Sequence, residues 1–107
     1  MKQRIILEVE LDENKLPVDI EMQTNNEDKV KVIKALMFSA WQAEKKETLR
    51  VDLWTKDMPV NDMFIMNHQT LIGMANSLER ATGNTEIAEG LRDYCAWFAK
   101  KTNILKT

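Results

Sequence analysis

Two stretches near the N-terminus alternate apolar and polar residues as half-buried β-strands do. Residues 4–11 place an apolar side chain at every second position, and residues 16–22 repeat the alternation. The polar residues 12–15 between them are typical of a short turn, so the pattern predicts an antiparallel hairpin. Pro17 lacks a backbone N–H, which predicts that the second strand lies at the edge of its sheet.

The apolar spacing becomes helical in the next segment. From about residue 29 to residue 44, apolar residues recur at intervals of three and four, which predicts a helix. Its candidate N-caps are Thr24, Asn26 and Asp28. Residues 48–54 return to period two and predict a third strand. The residues of this strand that are predicted to face the core are Leu49, Val51 and Leu53.

Two further helices complete the pattern. Pro59 suits the first turn of a helix that runs to about Thr82. Gly83 suits a left-handed C-cap, and a last helix then begins at once. The residues predicted to be buried in these helices are Val60, Met63, Phe64, Leu71, Met74, Ala75, Leu78, Ile87, Leu91, Tyr94, Cys95, Phe98 and Leu105.

The predicted order is therefore strand, strand, helix, strand, helix, helix. An α+β fold accounts for these periodicities, with a small three-stranded sheet and helices packed on one of its faces. The chain has 107 residues, the usual size of one domain, so residues 1–107 are predicted to form a single domain.

The composition limits which partners and which cellular location are expected for this protein. The 17 acidic and 15 basic residues are spread along the chain, whereas phosphate binding needs concentrated positive charge, so nucleic acid is not an expected partner. Cys95 is the only cysteine, which excludes an intrachain disulfide and the usual thiolates of a zinc site. Residues 1–15 alternate apolar and charged residues, unlike the apolar run of a signal peptide, and no later apolar run reaches transmembrane length. The expectation is a cytoplasmic protein without direct membrane insertion.

Catalytic chemistry has weak support in the sequence. His68 is the only histidine, and no Gly-x-Ser-x-Gly elbow or reactive cysteine context accompanies it. The acidic residues of the strands are predicted to form cross-strand salt bridges on a solvated face. They are Glu8, Glu10, Asp19, Glu21 and Asp52. We therefore expect no catalytic residues, no metal site and no cofactor. The alternative is a hydrolase-type enzyme that uses His68 with carboxylates near residues 52–62.

Apolar residues outside the predicted core indicate a binding surface. Ile6 and Trp54 are expected to project from the charged sheet face, where Trp54 anchors a partner and Arg50 and Asp52 select it. The candidate partner surface consists of Ile6, Arg50, Asp52, Trp54 and Asp57. The apolar residues outside the main helical stripes are Ile65, Ile72, Trp97 and Ile104. Either the last two helices cover each other there or another subunit does.

Three segments resemble a known family. They are ELDENKLPVDI at residues 10–20, SAWQAEKKETLRVDLWTKDMPVNDM at residues 39–63 and HQTLIGMANSLERATGN at residues 68–84. Together they resemble the gliding-motility-associated GldC family of Bacteroidetes, and the most specific piece is the motif at residues 49–58. The resemblance implies a small accessory protein of the gliding and type IX secretion machinery. It implies no enzymatic activity, no cofactor and no catalytic residues.

The function expected from these observations is that of a non-enzymatic accessory protein. It would bind protein partners of the gliding machinery in the cytoplasm and could lie peripheral to the membrane-bound components. A homodimer is a possible form of this protein, because a sheet edge can pair with its own copy. The alternatives are a homodimeric structural protein without other partners and the hydrolase-type enzyme.

Overall fold

The computed structural model describes residues 1–25 and 29–104, and the chain forms two compact units, Met1–Met58 and Pro59–Thr107. Strands make up the regular structure of the first unit, and helices make up that of the second. The class is therefore α+β, as predicted. That residues 1–107 form one domain stays a prediction. The candidate caps Asn26 and Asp28 and the predicted burial of Leu105 lie outside the described residues.

The first sheet is antiparallel, and its strands are, in spatial order, β1 (Ile5–Leu11), β2 (Pro17–Thr24) and β3 (Lys31–Ile33). The predicted hairpin of the first two strands is confirmed. Ile20 lies opposite Val9 on one side and Ile33 on the other. The prediction of an edge position for β2 is wrong, because β2 is the central strand. Pro17 is tolerated there because it is the first residue of the strand.

The turn between β1 and β2 is organised by a carboxylate. Asp12 Oδ1 accepts hydrogen bonds from the backbone N–H of Asn14 at 2.8 Å and of Leu16 at 3.0 Å. Lys15 adopts a left-handed conformation with φ of 63°. An aspartate that binds the backbone two residues ahead is a common device of tight turns, so the polar residues that predicted this turn also stabilise it.

The second sheet is a hairpin of two antiparallel strands, β4 (Ala35–Gln42) and β5 (Glu47–Trp54). The helix predicted for residues 29–44 is wrong, because β3 and β4 occupy this segment. Apolar residues in β4 fit both a helical and an alternating spacing, and a short apolar run does not distinguish the two. The β-branched residues Val30, Val32 and Ile33 favour a strand. The neighbouring strand β5 then supplies the pairing partner.

The predicted single three-stranded sheet is also wrong, because the strands divide between two sheets. Lys34 separates β3 from β4 and lies where the two sheets meet. The Thr55 amide donates to the Lys34 carbonyl at 2.9 Å, and the buried Thr55 hydroxyl donates to the same oxygen at 2.8 Å. The Lys56 amide donates to the Pro17 carbonyl at 3.1 Å. The two Thr55 bonds fix the end of β5 against the β3–β4 junction, and the Lys56 bond fixes the next residue against the start of β2. The packing of helices on one sheet face stays a prediction.

The second unit is a helical hairpin of α1 (Val60–Thr82) and α2 (Thr85–Thr102). Pro59 is the N-cap of α1, and the predicted left-handed C-cap at Gly83 is confirmed, with φ of 72°. The Asn84 side chain caps α2 by accepting a hydrogen bond from the Ile87 N–H at 3.1 Å. No helix of the described residues is both long and apolar enough to cross a membrane.

Arg92 joins the two helices. Its Nη2 donates to Asn76 Oδ1 at 2.9 Å and to Glu79 Oε1 at 2.7 Å, and its Nη1 donates to Glu89. The guanidinium lowers the pKa of the Glu79 carboxyl, chiefly through the hydrogen bond that it donates. Arg92 thereby fixes α2 against the C-terminal half of α1.

The buried positions of the helical hairpin carry mainly small side chains. They are Ala75, Ala88, Cys95 and Ala99, and Ile104, which follows α2, is also buried. Predicted burial is confirmed for Ala75 and Cys95. It is wrong for residues that are about half exposed or more, namely Val60, Met74, Ile87 and Tyr94. The helices carry more apolar residues than their buried faces hold, and periodicity alone does not show which stripe is covered.

Candidate partner surface

Strand β5 is exposed on both of its faces along most of its length. Every residue from Glu47 to Asp52 is exposed, and Leu53 and Trp54 are half-buried. Leu49 and Val51 are 48% and 47% exposed, so the prediction that they belong to the core is wrong. Phe38 lies opposite Val51 on β4 and is also exposed. The hairpin therefore presents apolar side chains on the face that the alternation assigns to the core.

The other face of β5 carries a coupled pair of charges. Arg50 Nη2 donates to Asp52 Oδ1 at 2.6 Å, and Arg50 Nε donates to Asp52 Oδ2 at 3.3 Å. Arg50 Nη1 also donates to Ser39 Oγ on β4 at 2.6 Å. The two charged side chains remain 48% and 41% exposed, and an ion pair this exposed contributes little to stability. Both charges are accessible to a partner.

Trp54 and Ile6 are placed differently from the prediction. Trp54 is half-buried and pairs with Ala35, which is buried, so the indole does not project freely from the sheet. Ile6 is exposed, but it lies on β1, in the other sheet, opposite Gln23. Of the predicted surface, the residues that share a strand are those of β5, namely Arg50, Asp52 and Trp54.

Asp57 follows β5 and is bound to a residue of its own unit. Lys34 Nζ donates to Asp57 Oδ2 at 2.9 Å. This bond holds the pKa of the Asp57 carboxyl below its usual range. Asp57 therefore stabilises the junction between the two sheets, and its charge already has a partner.

Asp12 is a residue of this region that sequence reasoning missed. Its Oδ2 accepts a hydrogen bond from Lys56 Nζ at 2.7 Å. The Lys56 ammonium, followed by the Leu16 backbone N–H, lowers the pKa of the Asp12 carboxyl. The bond connects the segment after β5 to the β1–β2 turn across 44 positions in sequence, and no local pattern indicates it.

In the first sheet, the acidic residues predicted to form cross-strand salt bridges lie opposite one another rather than opposite basic residues. The register places Glu8 opposite Glu21 and Glu10 opposite Asp19, so like charges face each other across β1 and β2. Like charges in directly opposed positions destabilise a sheet. In residues 1–25 and 29–104, no group of three or more His, Cys, Asp or Glu side chains is arranged to hold a metal ion.

The histidine and the cysteine of the chain lie on the helices. His68 is half-buried on α1, and Cys95 is a buried free thiol on α2. The burial of Cys95 agrees with its predicted position among the buried residues of the last helix, where a free thiol behaves as a small apolar side chain. The enzymatic alternative, with His68 and carboxylates near residues 52–62, stays a prediction.

Comparison with known proteins places the chain in a family. The model of the gliding motility-associated protein GldC-like family matches residues 17–104. This match includes strands β2–β5 and both helices, and it contains the motif at residues 49–58. No curated protein and no solved structure matches the chain. The chain belongs to the GldC-like family of gliding motility-associated proteins.

Proposed function

We propose that this chain is a non-enzymatic accessory protein of the gliding machinery, which acts in the cytoplasm by binding protein partners through strand β5. Family membership supports the association with gliding motility. The observation that carries the binding surface is the exposure of every residue from Glu47 to Asp52.

The chemistry of β5 suits recognition of a protein. One face presents the exposed apolar side chains of Leu49 and Val51, and the other presents the Arg50–Asp52 pair. Interfaces are enriched in clustered apolar groups and arginine, and their charged residues select the partner and the register. Because Trp54 is half-buried, its role in this proposal is to support the end of the strand rather than to anchor the partner.

Partner capture from lysate of a gliding bacterium tests this function. The baits are the wild-type chain, a β5 variant with Leu49→Thr and Asp52→Ala, and a control with Val32→Thr and Glu8→Ala. The control makes the same kinds of change at exposed positions of the first sheet. We expect the wild type and the control to retain the same component of the gliding machinery, identified by mass spectrometry, and the β5 variant to lose it.

Retention of that component by all three baits would show that β5 is not the surface. Retention of no gliding component by the wild type would contradict the proposed function itself. Far-ultraviolet circular dichroism of each bait establishes that the variants are folded.

A further inference from the structure

The hydrogen-bond pattern of the β4–β5 hairpin shows which backbone groups of β5 point outward. The register pairs Ala35 with Trp54, and one further step places Lys34 opposite Thr55. The Thr55 amide donates to the Lys34 carbonyl. In an antiparallel ladder such hydrogen-bonded pairs alternate with pairs whose backbone groups point away. The pairing of β4 with β5 has no register shift. Val51 therefore bonds towards β4, whereas the backbone groups of Arg50 and Asp52 point to the outer edge.

This outer edge is open within the described residues. In residues 1–25 and 29–104, β4 is the one strand that pairs with β5. The free edge ends close to Trp54, because the next outward amide, that of Lys56, donates to the Pro17 carbonyl. An exposed edge with unpaired N–H and C=O groups is a template for another strand.

The sequence of β5 is self-complementary about one residue. Residues 49–53 read Leu-Arg-Val-Asp-Leu, so apolar, positive, apolar, negative and apolar positions follow in order. In an antiparallel pair centred on Val51, Arg50 of each copy lies opposite Asp52 of the other. Leu49 lies opposite Leu53, and the apolar face continues from one copy to the next.

Neighbouring registers are disfavoured by charge. At the outer edge, the backbone groups of Arg50 and Asp52 point outward and those of Val51 point away from it. One strand can therefore slide along the other only in steps of two residues if its backbone hydrogen bonds are to be kept. A shift in one direction places Arg50 opposite Arg50, and a shift in the other places Asp52 opposite Asp52. Like charges in opposed positions repel, so the register centred on Val51 is the favoured one.

The other strands that lie at sheet edges lack this property. The charged residues of β1 are Glu8 and Glu10, so pairing with its own copy would bring carboxylates together. Strand β3 has three residues, and its one charged residue is Lys31, so it offers no opposite charges that could select a register. Strand β4 has no charged residue to select a register, and Ala35 at its start is buried. Self-complementary charge is therefore a property of β5.

We propose that β5 pairs antiparallel with β5 of a second copy of this chain, with Val51 on the two-fold axis. The two hairpins then form a continuous four-stranded sheet in the order β4, β5, partner β5, partner β4. The Arg50–Asp52 pair within each strand is exchanged for two pairs between the strands. This inference rests on the proposed function in so far as both assign β5 to an interface, but its test uses purified protein alone.

Disulfide trapping tests the register. The variants are Val51→Cys and Leu49→Cys, and the wild type, whose only cysteine is the buried Cys95, is the control. Opposed residues of a pair that is not hydrogen-bonded lie at Cα distances of about 4.5 Å, which a disulfide can span. Two Leu49 residues would be separated by about 13 Å along the strands. Oxidation is expected to give a covalent dimer with Val51→Cys and little with Leu49→Cys.

Equal cross-linking of the two variants would overturn the register, because Leu49 and Val51 are almost equally exposed. The absence of cross-linking with Val51→Cys at concentrations where the wild type is dimeric would also overturn it.

Charge exchange tests the pairing itself. In a dimer of the Arg50→Asp variant, residue 50 of each copy lies opposite Asp52 of the other, so acidic residues face each other at both positions. In a dimer of the Asp52→Arg variant, basic residues face each other in the same way. Each single variant is expected to raise the dimer dissociation constant, measured by sedimentation equilibrium, by about tenfold or more. The double variant with both changes restores opposite charges and is expected to dimerise like the wild type. An equimolar mixture of the two single variants is expected to form a heterodimer.

A wild type that stays monomeric at all concentrations would overturn the inference, and so would a double variant as weak as the single ones. If a monomeric wild type still captures a gliding component through β5, a strand of that component takes the edge and the proposed function stands. If the dimer forms but no gliding component is captured, the inference stands and the proposed function fails.

Discussion

Replacing Ile20 with alanine is expected to lower the free energy of unfolding by about 2–5 kcal/mol. Ile20 is 0% exposed and lies in the centre of the three-stranded sheet, opposite Val9 and Ile33. Truncation removes buried methyl groups and leaves a cavity that surrounding strands only partly fill. Since domains are typically stable by about 5–15 kcal/mol, a loss of this size is a large part of the total. Urea titration followed by circular dichroism measures it.

Val32→Ala is the matched control for this change. Val32 lies beside Ile33 on β3 and is 64% exposed, so its truncation removes little buried surface. We expect a change within about 0.5 kcal/mol, as is usual for exposed positions. Ile20→Val, which removes one methyl group, is expected to cost about 0.5–1.5 kcal/mol. Equal losses for Ile20→Ala and Val32→Ala would show that Ile20 is not a core residue.

Replacing Ala88 with leucine is expected to destabilise the helical hairpin by about 1–3 kcal/mol. Ala88 is fully buried on α2, as is Ala75 on α1. Alanine and leucine have similar helix propensities, so the loss reports packing rather than helix formation. Ile87→Leu is the control, because Ile87 is the exposed neighbour. Thermal unfolding followed by far-ultraviolet circular dichroism should show a lower midpoint for Ala88→Leu alone. An unchanged midpoint would mean that the position accommodates a large side chain.

Elements with local signals could be predicted from the sequence. The β1–β2 hairpin was predictable because two alternating runs flank a polar turn. Asp12 stabilises this turn by accepting hydrogen bonds from the nearby N–H groups of Asn14 and Leu16. The boundary between α1 and α2 was predictable because Gly83 takes a left-handed conformation that other residues resist.

Elements that depend on distant partners could not be predicted in this way. The apolar run of β4 fits a helix or a strand, and pairing with β5 decides between them. The Asp12–Lys56 bond joins residues that are far apart in sequence. Tertiary contacts of this kind override local propensity.

The candidate surface was predicted only in part, for a related reason. Alternation correctly assigned Arg50 and Asp52 to one face of β5 and Leu49 and Val51 to the other. It could not show that the apolar face is exposed, because period two identifies the faces of a strand and not what covers them. The open edge depends on the sheet order, which follows only from the three-dimensional structure.

Gliding of living cells tests most directly the claim that β5 works as an interface in motility. A gliding bacterium would carry this chain in place of its own family member, as the wild type, Arg50→Asp, Asp52→Arg or the double variant. Immunoblotting would establish equal amounts of the four proteins. We expect the wild type and the double variant to support gliding and the single variants to reduce it. Equal gliding by all four, or a double variant as defective as the single ones, would contradict it.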